Sequence, residues 1–500
     1  MFAGTGSDVG KSIVATAFCR IFLQDGYHPA PFKAQNMALN SFATPEGLEI
    51  GRAQAVQAEA AGIPCHTDMN PLLLKPQSDH TSQVVLNGKP IGCKSAYDYW
   101  KRGEGRDKSG TRIDFRKEVC SAFDRLANRY NPIVMEGAGS ISEINLRDTD
   151  LVNLPMARHA GADVILVGDI DRGGVFASVY GSIALQTKQD QQLIKGIIIN
   201  KFRGDMHLFD SGRRMLEEIC GIPVLGVIPY YKDIHIEEED SVALAQKSME
   251  MEKGKVNVAV IMLQHLSNYT DFDALEQDSR IHLFYTNNVS DIQKADIIIL
   301  PGTKSTLHDL YELRRNGCAQ AIVSAARTGT TILGICGGYQ MMGVEVCDPD
   351  HVEGDISRLP GLGLLPVTTT LSGEKVTRQV VCSLSPHLSR LSSLQGYEIH
   401  MGKTLPFGDA KDSPLLILED GNEDGYMLNS HCMGTYVHGI LDNQAFVDFL
   451  LEPFKDKFSS ENKSFDYQVF KEKQYDLLAD HVRQHVDMER IYQILQGKGY

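Results

Sequence analysis

Apolar residues in the first half of the chain fall into short continuous runs separated by longer segments of mixed polarity. Residues 11–26 repeat apolar positions at the spacing of one helix face and end at a glycine, which predicts a helix. Runs rich in isoleucine and valine follow at 132–137, 162–170, 195–201 and 222–229. Such continuous apolar character is typical of strands buried on both faces of a parallel sheet. The pattern therefore predicts an α/β domain, which we place at residues 1–232.

A second series of the same kind occupies the other half of the chain. Residues 233–255 are charged and poor in apolar residues, and we interpret them as a linker. Apolar runs then recur at 256–263, 281–286, 295–302 and 330–336, which predicts a second α/β domain at residues 256–450. The remaining residues, 451–500, repeat apolar positions at helical spacing, and we expect a helical extension that packs back.

Composition narrows the class of protein. The chain has 500 residues and a formal net charge of −15, which argues against nucleic acid as a partner because phosphate backbones require basic faces. No apolar run reaches the length of a membrane span, and we expect no membrane partner. The ten cysteines show no C-x-x-C pairs, which favours reduced thiols. We therefore expect a cytoplasmic enzyme.

The segment GTGSDVGKS at 4–12 has the residues of a phosphate-binding loop, with one residue more between its outer glycines than the common form has. Glycines allow backbone N–H groups to converge on an anion at the start of a helix. We expect the lysine to reach the terminal phosphates of ATP and the serine to bind Mg²⁺. A flexible N-terminus is the alternative, although a helical pattern follows directly. The predicted nucleotide-binding residues here are Gly4, Thr5, Gly6, Gly10, Lys11 and Ser12.

Two predicted strand ends add polar side chains to this domain. Glu136 follows the run at 132–137 and is a candidate second ligand of Mg²⁺; a carboxylate that caps a helix is the alternative. Asn200 ends the run at 195–201 and is a candidate contact for a purine base, or part of an ordinary polar turn. The longer loop, the EGAG at 136–139 and this asparagine together resemble the dethiobiotin synthetase-like branch of the P-loop fold. The resemblance implies that ATP activates a carboxylate as a mixed phosphoric anhydride.

Cys336 is the candidate nucleophile of the second domain. An apolar run leads into GICGG at 334–338, and a helical segment follows. Small neighbours permit the strained turn of a nucleophile elbow, and a helix N-terminus favours the thiolate. A buried structural cysteine is the alternative, but it has no use for glycines at these positions. His438, in YVHGI, is the candidate base.

This order of cysteine and histidine, over about 256–450, resembles the class I glutamine amidotransferases. The resemblance implies that the N–H groups of Gly302 and Gly337 form an oxyanion hole. One position departs from the pattern, because most members carry a carboxylate two residues after the histidine and this chain has Ile440. Either another group orients His438, or the cysteine and histidine act as a dyad. The fold class expected is thus a P-loop parallel α/β sheet followed by a class I glutamine amidotransferase-like α/β sheet.

Long ungapped runs extend the resemblance to the whole chain. They resemble the glutamine-dependent cobyrinic-acid amidase family, a subgroup known for lacking the carboxylate after the histidine. The runs lie at 31–41, 49–76, 134–146, 169–178 and 396–402. The resemblance implies ATP- and glutamine-dependent amidation of the b, d, e and g carboxylates of adenosylcobyrinic acid a,c-diamide. It implies ATP with Mg²⁺ and no tightly bound organic cofactor.

Several polar residues within these runs are possible contacts for phosphate or substrate carboxylates, with a solvated or fold-supporting role as the alternative. They are Lys33, Asn36, Asn40, Lys75 and Arg172.

Three other functions fit parts of the sequence. A related synthase that forms the a,c-diamide combines similar domains but acts on earlier carboxylates, and the runs around 35–41 and 66–71 argue against it. A non-catalytic P-loop switch protein has no need of Cys336 and His438. A carboxylating synthetase has no use for the second domain.

Overall fold

The computed structural model describes residues 1–76, 81–95, 104–106, 112–237, 251–386, 393–458 and 465–497. The chain forms two compact units. The first contains Met1–Ala38, Ile50–Glu237 and Val469–Tyr500, and the second contains Leu39–Glu49 and Glu238–Gln468. Of the stretch interpreted as a linker, residues 238–250 lie outside the described residues.

A parallel sheet forms the centre of the first unit. Its four main strands are, in spatial order, Phe2–Gly4, Val164–Asp169, Ile194–Phe202 and Val224–Pro229. A further parallel pair, Ile133–Met135 with Ala30–Phe32, joins this sheet through a bridge between Phe2 and Glu136. The isoleucines and valines of the central strands are buried, as expected for strands covered on both faces.

Helices and smaller sheets complete the first unit. A mixed sheet contains Gln35–Met37, Leu72–Pro76, Thr81–Leu86 and Lys89–Ser95, and Glu104–Arg106 pairs with Arg112–Asp114. The α-helices before the second unit are Lys11–Gln24, Arg52–Ala60, Phe115–Ala127, Leu154–Ala160, Val175–Ala184, Lys188–Gln191 and Asp210–Cys220. Short 3₁₀ helices span Thr67–Met69, Ile144–Thr149 and Met206–Phe209.

The tail of the chain returns to the first unit. It forms two helices, Tyr467–His485 and Met488–Leu495. Their buried residues, such as Leu478 and Val482, share a core cluster with Phe18 of the helix Lys11–Gln24. The backbone between the helices also joins the sheet, because the N–H of Asp487 donates to the carbonyl of Leu225 at 2.7 Å. The tail therefore completes the core of the first unit instead of extending the second.

The second unit is built on a six-stranded sheet. Its spatial order is Ile281–Thr286, Val256–Ile261, Ile297–Leu300, Thr331–Ile335, Cys432–Thr435 and Tyr426–Asn429. The first five strands are parallel and the last is antiparallel. All four apolar runs predicted for this half become strands of this sheet, and their side chains form the largest buried cluster.

A second, mostly antiparallel sheet lies in the same unit. Two long strands, Val367–Leu384 and Leu394–Pro406, pair with each other. The shorter strands of this sheet are Glu345–Cys347, Arg358–Pro360, Leu416–Leu418, Glu423–Asp424 and Val437–His438. The α-helices of the unit are Asp273–Gln277, Val289–Ile292, Thr306–Arg315, Cys318–Arg327, Gly337–Met342 and Gln444–Leu451, and 3₁₀ helices span Tyr269–Phe272, Ile440–Asp442 and Glu452–Lys457.

One segment of the second unit comes from early in the sequence. Residues Leu39–Glu49 belong to this unit, although we predicted them within the first domain. They contain the strand Ser41–Ala43 and a turn closed by a hydrogen bond from the N–H of Thr44 to the carbonyl of Leu48 at 2.7 Å. No helix within the described residues is long and apolar enough to cross a membrane.

Candidate active site

The segment 4–12 forms a loop between the strand Phe2–Gly4 and the helix Lys11–Gln24. Lys11 folds back over this loop, where its Nζ donates to the carbonyl oxygens of Gly6 at 2.9 Å and Gly139 at 3.0 Å. Gly10 has φ +94°, and a Cβ there would lie 2.0 Å from Nδ2 of Asn200. The loop thus has the strand–loop–helix context of a phosphate cradle, and position 10 requires glycine for both conformation and space.

Glu136 lies at the centre of a buried polar cluster beside this loop. Its Oε1 accepts from Ser12 Oγ at 2.8 Å and lies 2.8 Å from Lys33 Nζ, and its Oε2 accepts from Gln57 Nε2 at 2.6 Å. Burial alone would raise the pKa of Glu136, but Lys33 and the hydrogen bonds outweigh burial and lower it. The carboxylate is therefore ionised at neutral pH.

The same cluster offers the donor atoms that Mg²⁺ prefers. Ser12 Oγ and the Glu136 carboxylate are hard oxygen ligands in hydrogen-bond contact with each other. Gln57 Oε1 is buried and has no hydrogen-bond partner within the described part of the chain. These residues fit a hydrated Mg²⁺ in chemistry and charge.

Asn200 and the neighbouring Lys201 contact the other side of the loop. Asn200 Nδ2 donates to the carbonyl of Val9 at 3.0 Å, so in this structure its amide supports the loop. Asp169, buried at the end of the strand Val164–Asp169, lies 3.4 Å from Lys201 Nζ. Lys201 also donates to Asp8 of the loop. The sequence reasoning missed Asp169, although it ends one of the predicted strands.

The five possible substrate contacts are distributed over several elements of the chain. Lys33 lies at Glu136, and Arg172 is largely exposed and pairs with Asp8 of the phosphate loop. Asn36 Nδ2 donates to Gln54 Oε1 at 3.1 Å, and Lys75 is buried in the strand Leu72–Pro76. Asn40 belongs to the second unit. Lys33 and Arg172 are thus in contact with residues of the predicted nucleotide site.

Cys336 lies in a strained turn between the strand Thr331–Ile335 and the helix Gly337–Met342. Its backbone angles, φ 54° and ψ −112°, are those of a strained conformation for a non-glycine residue. A Cβ at Gly338 would lie 1.9 Å from the carbonyl oxygen of Leu300. The glycine therefore allows the helix to start against the neighbouring strand, which is the geometry of a nucleophile elbow.

His438 interacts with both Cys336 and an acidic residue that the sequence analysis did not identify. Cys336 lies close enough to raise its pKa, and the imidazole Nδ1 lies 2.7 Å from Oδ2 of Asp271. The other oxygen of Asp271 accepts the N–H of Gly439 at 3.0 Å. All three side chains are buried. Ile440 is buried in the core, so the carboxylate beside His438 comes from the turn Tyr269–Phe272.

Charge sets the protonation of His438. Burial alone would lower its pKa, but Asp271 and Cys336 outweigh burial and raise the pKa to about 10. The geometry therefore stabilises an imidazolium at neutral pH.

The predicted oxyanion residues lie beside this pair. A Cβ at Gly302 would lie 3.1 Å from Cε1 of His438, and a Cβ at Gly337 would lie 3.1 Å from the backbone nitrogen of Thr303. The Thr303 hydroxyl donates a hydrogen bond to the Asp309 carboxylate. The structure thus brings Gly302, Gly337, Cys336 and His438 together from separate elements.

A nucleophilic cysteine with a histidine and an aspartate in one unit, and a phosphate loop with a buried carboxylate in the other, define a glutamine amidotransferase joined to a nucleotide-binding domain. Family models agree with both halves. The CobQ/CobB/MinD/ParA nucleotide binding domain matches residues 1–243, and the CobB/CobQ-like glutamine amidotransferase domain matches residues 257–446. The predicted fold class is confirmed.

Full-length relatives identify the family. The cobyric acid synthase of Bacteroides fragilis is 71% identical over 495 residues, and those of Phocaeicola vulgatus and Parabacteroides distasonis are 67% and 58% identical over 497 residues. Each alignment covers 99% of this chain and 98% of the relative. The chain belongs to the cobyric acid synthase family. It is a carbon–nitrogen ligase of cobalamin biosynthesis with glutamine as the amido donor, which excludes a non-catalytic switch protein.

Proposed function

We propose that this enzyme converts adenosylcobyrinic acid a,c-diamide to adenosylcobyric acid by amidating the b, d, e and g carboxylates, with one ATP and one glutamine used for each. The contact of Cys336 with His438 and Asp271 carries the proposal, because it supplies ammonia from glutamine within a chain that also has a nucleotide-binding domain. The names of the relatives support the product. Cysteine usage supports a cytoplasmic location.

Glutamine hydrolysis begins at Cys336. Its thiolate attacks the side-chain carboxamide carbon of glutamine, and the N–H groups of Gly302 and Gly337 stabilise the resulting oxyanion. The His438 imidazolium then gives its proton to the departing ammonia, which leaves a γ-glutamyl thioester. A water molecule, deprotonated by His438, hydrolyses the thioester to glutamate. Asp271 holds the imidazole orientation throughout.

Carboxylate activation takes place at the phosphate loop. The backbone N–H groups of 4–12 bind the phosphates of ATP, and Lys11 leaves its carbonyl partners to contact the β- and γ-phosphates. Ser12 and Glu136 would hold Mg²⁺, which neutralises phosphate charge when bound. A substrate carboxylate oxygen attacks the γ-phosphorus and releases ADP. Ammonia then attacks the acyl phosphate carbon, and phosphate leaves as the amide forms.

The direct test is mass spectrometry of the corrinoid after incubation with ATP and glutamine. Starting from the a,c-diamide, we expect four successive exchanges of a carboxyl hydroxyl for an amino group. Product formation from the fully acidic cobyrinic acid, stopping after two amides, would instead support the related a,c-diamide synthase. No mass change with either corrinoid would reject the proposal.

A substitution at the nucleophile separates the two half-reactions. Cys336→Ala removes the attacking thiolate, so we expect glutamine-dependent amidation to be abolished while amidation with an added ammonium salt continues. Quantifying the amidated corrinoid with each nitrogen donor measures this. Loss of both activities in a folded variant would contradict two separable sites.

A further inference from the structure

The segment Leu39–Glu49 is anchored in the second unit by contacts along its whole length. The N–H of Ser41 donates to Oδ1 of Asn268 at 3.0 Å, and Nε2 of Gln379 donates to the carbonyl of Ala43 at 2.9 Å. Glu49 and Lys375 form an ion pair in which both side chains are more than nine-tenths buried. Buried charges stay ordered when they are paired, so the position of the segment is strongly specified.

Two of these contacts lead directly to His438. The ring of Phe42 packs edge-on against Tyr397 with centroids 4.6 Å apart, and Tyr397 stacks on the His438 ring at 5.3 Å and 18°. Asn268, whose amide orientation is fixed by the Ser41 N–H, places Nδ2 3.4 Å from His438 Nδ1. The segment therefore supports the catalytic imidazole through the Tyr397 ring that stacks on it, while Asp271 accepts its Nδ1–H.

The sequence on both sides of the segment belongs to the first unit. Ala38 precedes it and Ile50 follows it there. Lys33, which contacts Glu136 at 2.8 Å, lies only nine positions before Phe42. The short stretch 33–42 thus connects, along the sequence, a residue that contacts Glu136 with the residue that packs on Tyr397.

We propose that Leu39–Glu49 is a positioning element of the glutamine site, in which Phe42 acts through Tyr397 on His438, so that glutamine hydrolysis depends on the state of the nucleotide site. This inference rests on the proposed function, in which glutamine hydrolysis supplies the ammonia for amidation. The residues themselves are positioning residues, since Phe42 acts on His438 through Tyr397.

The test uses Phe42→Ala in the full-length enzyme, with glutamate release as the primary measurement. A displaced imidazole is expected to lower the rate of glutamate release roughly ten- to a hundredfold, because small misplacements of catalytic groups have effects of that size. Ammonium-dependent amidation should stay at the wild-type level. Phe42→Tyr keeps the aromatic ring and should restore glutamate release. Phe407→Ala, at a half-exposed phenylalanine of the same unit, is the matched control.

Two further measurements distinguish positioning from a general loss of stability. The alkaline limb of glutamate release should move to lower pH in Phe42→Ala, because a ring displaced from Asp271 is less strongly protonated. Stimulation of glutamate release by ATP with the corrinoid should also be lost.

A different outcome would overturn the proposal. Unchanged glutamate release, pH profile and ATP response in folded Phe42→Ala would overturn the positioning role. If the wild-type enzyme releases glutamate but leaves the a,c-diamide unchanged, the proposed substrate fails, while the Phe42 comparison still decides this inference.

Discussion

Asp271 is the residue that most changes the interpretation of the glutamine site. The sequence left two possibilities for His438, a dyad or an orienting group from elsewhere. The 2.7 Å contact with Asp271 favours the second, and the same carboxylate also fixes the backbone at Gly439. A side chain that bonds both the ring and its backbone restricts the histidine more than a ring contact alone.

Asp271→Asn should lower glutamine hydrolysis roughly a hundred- to ten-thousandfold, the range found when an acid–base group loses its proper state. The alkaline limb of the kcat/KM profile should also move to lower pH. His438 holds its proton up to a pH of about 10 because of the Asp271 and Cys336 charges, so removing one charge lets the proton leave at lower pH. A pH series of glutamate release measures both effects.

A compensating substitution sharpens this experiment. Asp271→Asn combined with Ile440→Glu puts a carboxylate at the position used by most class I amidotransferases. Partial recovery of glutamate release would show that the charge beside His438 matters more than its origin. An unchanged alkaline limb in Asp271→Asn alone would mean that Asp271 does not set the protonation of His438.

Among the elements, the tail helix Tyr467–His485 is tied to the first unit by charge as well as by apolar packing. Lys471 lies 2.9 Å from Glu59 and 3.7 Å from Glu237, and Arg52 pairs with Glu237 at 2.6 Å. Burial would raise the pKa of Glu59, but Lys471 and Arg52 outweigh it and lower the pKa to about 2. The carboxylate is thus more acidic in the folded state than its ordinary value of 4.5.

Lys471→Met should destabilise the protein by about 3 kcal/mol at neutral pH, since removing one partner leaves buried charge uncompensated. The contribution of Glu59 is complete above pH 4.5, where its carboxylate is ionised in both states, and is lost as the pH falls towards about 2. The difference in melting temperature between variant and wild type should therefore shrink in acid. Thermal melts across roughly pH 3 to 7 measure this difference.

The same helix provides the control. Lys473 is exposed two residues further along, and Lys473→Met should change the melting temperature little at any pH. Equal effects of the two substitutions would contradict a specific role for the buried pairs.

The regular elements of both sheets were predictable because a buried parallel strand leaves a local signature. All eight apolar runs become strands, with bounds shifted by at most two residues, and the helix after the phosphate loop ends at Gln24. Hydrophobic periodicity reports burial, but it does not report the partner against which an element is buried. For that reason the tail was predicted to be helical, yet its place in the first unit was not predicted.

At the scale of the whole molecule, the missed features all depend on contacts between distant parts of the sequence. Asp271 meets His438 across 167 positions, and its own surroundings in the sequence resemble an ordinary acidic turn. The elbow at Cys336 could be predicted because glycines and a strand–helix change adjoin it. A local motif reveals a nucleophile, whereas its orienting group is set by the fold.

Glu136→Gln tests whether the two units carry separable chemistry. It removes the charge that faces Ser12 and Lys33, so ATP-dependent amidation should fall roughly a hundredfold or more with either nitrogen source. Glutamate release without ATP should continue, because Cys336, His438 and Asp271 are untouched. Assays of corrinoid amides and of glutamate on the same sample measure this.

Glu143 is exposed and lies in the loop after Glu136, so Glu143→Gln is the control. This variant should amidate the corrinoid at the wild-type rate. Loss of glutamate release in folded Glu136→Gln without ATP would show that the half-reactions are not separable in this way.

The return of the tail to the first unit has a consequence for how the protein is made. The ribosome synthesises residues 238–468 before the helices Tyr467–His485 and Met488–Leu495, so most of the second unit is available to fold while the first still lacks part of its core. The core of the nucleotide-binding unit can therefore be completed only after the tail has been synthesised. A gene divided near residue 250 would encode an N-terminal fragment with an open hydrophobic face, and that fragment would need its missing helices supplied in trans.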